Sequence, residues 1–228
     1  LSLHDALPIF DRSGYFETVT LSEDDLKRND MYRANAQRAK AQSRFADYHD
    51  YLLSLEMTAE IGDFSPLYLQ RITQLTNKSN QFNLTTKRYT AEQMEAVYNS
   101  DEYIRLYGKL YDKFGDNGVV AVTIGKTDSE DKGRLDIELW LMSCRVLKRD
   151  MELAMLDSLV EQAKKRGIRE IYGHYYPTAK NKMVAGLYES FGFEKISQDE
   201  EGNTAWRLLV EGYEDKNTVI KVKEEHYA

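Results

Sequence analysis

The chain has 228 residues, 42% of them hydrophobic and 30% charged, which is enough for one cored domain or one domain and part of another. A net charge of -7 argues against general nucleic-acid binding, which needs a basic face. No apolar run approaches the roughly 18 residues that a membrane span needs, and the single cysteine, Cys144, rules out an internal disulfide and a cysteine-based zinc cluster.

Residues 1–10 lack a basic start, and His4 and Asp5 interrupt their apolar run, so they do not read as a signal peptide. The stretch resembles sequencing-adapter read-through, and the natural N-terminus is expected to be missing. Residues 11–55 form a first unit. Ser22 and Asp25 are a helix start, and a polar helix from Glu23 to about Gln42 follows, thin in apolar residues as a connector would be. A short amphipathic helix is expected over 45–55.

The second unit is expected at 56–214. Met57–Gly62 reads as a strand, and Pro66–Asn77 as a helix with Leu67, Leu69, Ile72 and Leu75 inward. Thr90 and Gln93 make a capping box for a helix to about Tyr98. Tyr103–Tyr107 and Gly118–Ile124 are strands across a turn-rich link, and Arg134–Arg145 is an alternating strand with Cys144 near its buried end. Met151–Arg166 is a helix stopped by Gly167, Ile168–Tyr176 a strand, Ala179–Ser190 a helix and Thr204–Gly212 a last strand. The tail, 215–228, is charged and expected to fray, although the alternation over Val219–Val222 would suit an edge strand.

Three constellations bear on chemistry. The first is Arg145-Val-Leu-Lys148-Arg149-Asp150, a turn between a strand and a helix start, where backbone N–H groups can hold a phosphate. Asp150 reads as the helix N-cap, occupying those N–H groups, while Lys148 and Arg149 offer charge instead. The second is Asn181 with Tyr188, placed on one face of the helix expected there, and Glu138, a candidate general base through water. The third is the stretch 77–89. Its Asn80, Gln81, Asn83, Thr85 and Thr86 suit either a polar-ligand grip or a self-satisfied loop. The four histidines show no metal-ligand spacing, so no metal site is expected.

The closing words, Asn181 through Leu187-Tyr-Glu-Ser-Phe-Gly-Phe193, resemble the last part of the GNAT acyltransferase fold. That family writes its phosphate turn [QR]-x-x-G-x-[GA]. Arg145 fits the first position, but Lys148 and Asp150 stand where the small residues belong. In the family the Asn can face the cofactor, and the Tyr often serves as general acid toward the leaving thiolate. The expected fold is therefore α/β: a GNAT-like mixed, mostly antiparallel sheet flanked by helices, splaying after 134–145 beside strand 168–176.

A second resemblance is finer. Tyr32-Arg-Ala-Asn-Ala, Leu53-Ser-Leu-Glu-Met57, Asn80-Gln-Phe-Asn-Leu-Thr-Thr86, Phe114-Gly-Asp-Asn-Gly118, Trp140-Leu-Met-Ser-Cys-Arg-Val146 and Pro177-Thr-Ala-Lys-Asn181 look like the C-terminal half of FkbH-like proteins of the HAD superfamily (HAD-IIIC). That resemblance implies an N-terminal HAD module, missing here, of which residues 11–55 are the tail and helical linker. It also implies an acyl carrier protein as partner and the handling of acyl or glyceryl groups on its phosphopantetheine arm in polyketide-type biosynthesis. A reducing cytoplasm fits the lone Cys144. No D-x-D occurs in the chain, so the Mg²⁺-dependent phosphatase site belongs to the missing module, and no phosphatase activity is expected from this chain alone. Acyl-CoA is the alternative ligand, for a free-standing N-acyltransferase. A non-catalytic scaffold is the third reading.

Overall fold

The computed structural model describes residues 23–224, which divide into two units between Ser43 and Arg44. Residues 1–10 and the cap expected at Ser22 lie outside the described residues. The first unit shows one helix, α1 (Glu23–Gln42), with the bounds that the sequence predicts.

The second unit opens with α2 (Tyr48–Ser54), whose cap Asp47 accepts from the Asp50 N–H. Strand β1 (Thr58–Asp63) leads to α3 (Pro66–Lys78), capped by Ser65 with proline in its first turn. A two-residue strand, β2 (Phe82–Asn83), precedes α4 (Ala91–Tyr98), which carries the predicted Thr90–Gln93 capping box. Then come β3 (Tyr103–Asp112), β4 (Gly115–Thr127), β5 (Arg134–Met142) and α5 (Met151–Lys165). The chain closes with β6 (Glu170–Tyr175), α6 (Leu187–Ser190), β7 (Glu194–Gln198), β8 (Thr204–Leu209) and β9 (Lys221–Glu224).

The strands form one sheet in the order β7-β8-β6-β5-β4-β3-β1-β9. Pairs β5–β6 and β1–β9 are parallel and the other pairs antiparallel, which is the mixed sheet that the sequence implies. One face carries α3 and α4. Ile72, Leu75, Met94 and Val97 pack there against Tyr107, Val122, Ile124, Leu139 and Leu141. The opposite face carries α5. Gly108 of β3 turns toward it, and a Cβ there would lie 2.8 Å from the Met155 sulfur, so the missing side chain lets α5 sit close.

Four expectations are corrected. Leu67 is exposed rather than inward, because α3 turns only its Ile72–Leu75 side to the sheet. Cys144 is exposed rather than buried, because β5 ends at Met142 and the chain turns into a 3₁₀ turn, Cys144–Val146. The segment 179–190 is not one helix. A 3₁₀ turn (Lys182–Val184) and α6 are separated at Ala185–Gly186, and Asn181 stands before the first turn, so Asn181 and Tyr188 do not share a helical face. The tail does not fray over its described part. Asp157 on α5 accepts from the Lys216 and Asn217 N–H groups at 2.9 and 2.8 Å, and β9 then pairs with β1.

Strands β5 and β6 pair only at Arg134–Glu170, Leu135–Ile171 and Asp136–Tyr172, and then separate. The β4–β5 ladder jumps from Ile124–Leu139 to Gly125–Ile137, which leaves Glu138 as the extra residue of a β-bulge at the mouth of that separation. Bulges of this kind re-aim a side chain, often beside a functional site.

Candidate functional site

The opening between β5 and β6 is filled by the chain itself. Phe82 and Asn83 pair with Met142 and Leu141 on the edge of β5 that β6 has left. The Leu84 N–H donates to the Trp140 carbonyl at 3.1 Å, and the Leu84 carbonyl accepts from Tyr176 N–H at 2.9 Å. The segment therefore bridges both separated strands. Asn181, fully buried, holds it there. Its Nδ2 donates to the carbonyls of Asn83 and Tyr176, each at 2.9 Å, and its Oδ1 accepts from Thr178 N–H at 2.7 Å. Asn83 in turn donates to the Ser79 carbonyl and accepts from Thr86 N–H, which lets Thr86 keep a positive φ of 55°. Arg88 clasps the loop from outside through the Thr76 and Ser79 carbonyls and the Asn80 side chain.

The polar stretch is thus internally bonded, as its self-satisfied reading expects. Asn83 and Thr85 are buried, Asn80 is half-buried and Gln81 is exposed.

Thr85 joins this plug to the bulge, donating to the Glu138 carbonyl at 2.7 Å. The Glu138 carboxylate receives Lys87 Nζ at 2.5 Å and the Tyr89 hydroxyl at 3.1 Å. Burial and that carboxylate push the Tyr89 hydroxyl well above the ordinary phenol range and raise Tyr103 as well. Beside them lies a pair that sequence spacing does not flag. Asp136 is gripped by both ends of the Arg134 guanidinium at 2.7 and 2.8 Å and faces His174 Nε2 at 3.3 Å. Burial works against the Asp136 charge, but the His174 and Arg134 hydrogen bonds outweigh it and hold the carboxyl below its usual range.

The turn 145–150 carries two left-handed residues and no glycine. Lys148 and Asp150 have φ of 63° and 60°, the left-handed region that glycine favours. Asp150 makes no side-chain cap bond, contrary to expectation, because that backbone twist carries its carboxylate away from the first N–H groups of α5. Arg145 and Lys148 are exposed, and the Tyr48 hydroxyl holds the Lys148 carbonyl at 2.5 Å. Arg149 points inward and pairs with buried Asp112 at 3.1 Å.

Glu152, in the first turn of α5, has a buried Oε2 without a partner among the described residues. Burial, then Asp150, raises its pKa from 4.5 to about 7 against the pull of its own backbone N–H. A carboxyl raised in the folded state binds more protons there than in the unfolded chain, so it costs stability progressively from about pH 4.5 up to pH 7. Glu152→Gln should therefore melt higher than the wild type at pH 8, by about 3 kcal/mol of stability, and match it near pH 4, as read by thermal melts across that range.

Tyr188 is 1% exposed. Its ring packs against Trp140, Phe193 and Trp206 and over Gly173, where a Cβ would strike it. Its hydroxyl finds no side-chain partner and no solvent in this arrangement. Asp128 accepts from the Glu130 and Asp131 N–H groups, and Asp199 from the Asn203 N–H, so each acid serves its own turn. No cluster of His, Cys, Asp or Glu suited to a metal exists among the described residues.

A CoA arm gripped at the turn would have to run into the opening between β5 and β6. The exposed Arg145 and Lys148 suit a pyrophosphate. The inward Arg149, the carboxylates of Asp150 and Glu152, and above all the Phe82–Leu84 plug do not. In this arrangement the residues present do not fit the arm.

No family model matches the sequence, and no curated protein does. Solved structures match its fold. The ribosomal-protein-S18-alanine N-acetyltransferase from Escherichia coli is 13% identical, over 70% of this chain and 99% of its own, with a TM-score of 0.51. The GNAT domain of S. lividans PAT is 14% identical over 65% and 89%, with a TM-score of 0.51. The yncA protein from Salmonella typhimurium, solved with its cofactor acetyl-CoA, is 14% identical over 72% and 99%, also at 0.51. The likeness is one of fold: the chain carries a GNAT-like domain. No described helix is long and apolar enough to cross a membrane.

Proposed function

We propose that this chain is the GNAT-like C-terminal domain of an FkbH-like protein and handles an acyl or glyceryl group carried as a thioester on the phosphopantetheine arm of an acyl carrier protein, in polyketide-type biosynthesis in the cytoplasm. An N-terminal HAD module would supply the Mg²⁺-dependent phosphate chemistry. The observation that supports this reading best is the closed opening between β5 and β6 beside an intact polar face. Free acyl-CoA relies on the phosphate turn and the opening for all of its affinity. A carrier protein brings a docking surface of its own, so the tethered thioester needs little grip at either place. The Asn80–Thr86 word behind the resemblance acquires a physical purpose here, since its amides and hydroxyls are what hold the plug.

Glu138, the extra residue of the bulge, lies on that face as a hydrogen-bond acceptor for Lys87 and Tyr89. One observation favours the alternative, an acyl-CoA N-acyltransferase. Lys148 and Asp150, where the family's turn has its small residues, are left-handed, and withdrawal of the plug would open a cofactor path. Calorimetry separates the readings. Carrier protein loaded with acyl-phosphopantetheine should give heat at concentrations where acetyl-CoA gives none. Binding of acetyl-CoA as tight as that of the carrier would overturn the proposal in favour of the alternative, and heat from neither would leave a scaffold.

A further inference from the structure

We propose that Asp136 and His174 form a carboxylate–imidazole pair in which His174 acts as the proton acceptor for a hydroxyl or amine nucleophile bound in the small open cavity beside β6. The two residues are 38 positions apart, yet they meet where β5 and β6 make their last parallel rung and begin to separate. The cavity, about 250 Å³, is lined by His174 with Tyr176, Ser197, Gln198, Asn203 and Thr204. Its walls offer hydroxyl and amide groups, and its one carboxylate, Asp199, is engaged by Asn203. Its exposed surface is more apolar than polar and holds no unengaged carboxylate, so it suits a small uncharged group with one polar end.

Three features make the pair more than a surface contact. Asp136 is immobilised by the two-pronged Arg134 grip, and Arg134 is itself stacked over Tyr172 at 4.0 Å from the ring centroid. Secondly, Asp136 accepts at His174 Nε2, so the ionised carboxylate favours the tautomer with its proton on Nε2 and a lone pair on Nδ1. Nδ1 has no hydrogen-bond partner among the described residues, and His174 lines the cavity. Thirdly, His174 and Tyr176 lie nearly parallel, with an interplanar angle of 19° and centroids 6.3 Å apart, a loose stack that favours this ring plane. An imidazole oriented by a carboxylate, with its second nitrogen free, is the arrangement that general-base catalysis requires.

The assignment of substrate rests on the acyl-transfer reading above. The nucleophile's O–H or N–H proton passes to His174 Nδ1 as its heteroatom bonds to the thioester carbonyl carbon. The carbon–sulfur bond then breaks, the thiolate leaves and takes a proton from solvent, and His174 returns its own proton to solvent. His174 is the catalytic residue of this step and Asp136 its positioning residue.

The test needs no carrier protein, so its failure is distinct from failure of that reading. The probe is p-nitrophenyl acetate with water as nucleophile. The full chain should release p-nitrophenolate faster than its His174→Gln variant by about tenfold or more, within the range general-base help supplies. Asp136→Asn should lose much of that rate. In nitrogen-15 spectra, the wild-type His174 ring should sit in the Nε2–H form and the Asp136→Asn ring in a mixture. Equal rates for wild type and His174→Gln overturn the proposal, and so does a mixed tautomer in the wild type. If His174→Gln does not fold, the tautomer and rate comparison with Asp136→Asn decides.

Discussion

Asn181→Ala should destabilise the fold by about 3 kcal/mol, lowering the melting temperature by about 6–12 °C for a chain of this size. The side chain is fully buried and serves three parts of the chain at once. Its amide satisfies the carbonyls of Asn83 and Tyr176, and its oxygen satisfies the Thr178 backbone N–H and hydroxyl. Alanine removes both donors and the acceptor and replaces none of them. Each buried polar group left alone costs about 1–3 kcal/mol, partly relieved by local relaxation. The loss should be local as well as global. Amide exchange at Leu84 and Tyr176, which bond across the opening, should quicken more than exchange in β3 and β4. A variant melting within a degree of the wild type would show that backbone pairing alone keeps the opening shut.

Arg149→Ala should cost about as much, 3–5 kcal/mol, because it strands a buried carboxylate. The Asp112 side chain is wholly inaccessible and receives Arg149 at 3.1 Å, Asn117 Nδ2 at 3.3 Å and the Phe114 N–H at 2.8 Å. The last two hold the turn between β3 and β4, and the first ties that turn to the segment before α5. Removing the cation alone leaves the charge without its main compensation. Replacing both partners, with Asp112→Asn added to Arg149→Met, should recover a large part of the loss. Thermal melts of Arg149→Met, Asp112→Asn and the pair together form a double-mutant cycle, and additive losses would mean that the ion pair carries no coupling.

The strands and helices with strong periodicity were legible from the residues. The Thr90–Gln93 capping box and the alternation over Arg134–Leu141 each specify their element locally. Elements made by tertiary partners were not. Two-residue β2 has no period to read and exists because β5 offers it an unpaired edge. The break in 179–190 follows from bonds that Asn181 makes to residues as far away as Asn83. Of the candidate site, Glu138 was visible as a polar residue in a strand. Its partners Lys87 and Tyr89, and the Asp136–His174 pair, come together only through strand register. Spacing rules search along the chain, and a pair that forms across two strands leaves no trace there. The inward turn of Arg149 was hidden likewise, since its anion lies 37 residues earlier.

The parallel pairing of β1 with β9 sets Thr58 beside Lys221 and Ile61 beside Glu224. On the ribosome, β1 emerges early, yet its outer edge waits for nearly the whole unit to be made before its partner arrives. Until then the row of backbone groups on that edge is open to a strand from any neighbouring chain. Slow, long-range closure of this kind lengthens the interval in which a nascent chain can pair wrongly. The alternating lysines of β9, Lys221 and Lys223, then leave a charged outer strand at that border once it has docked.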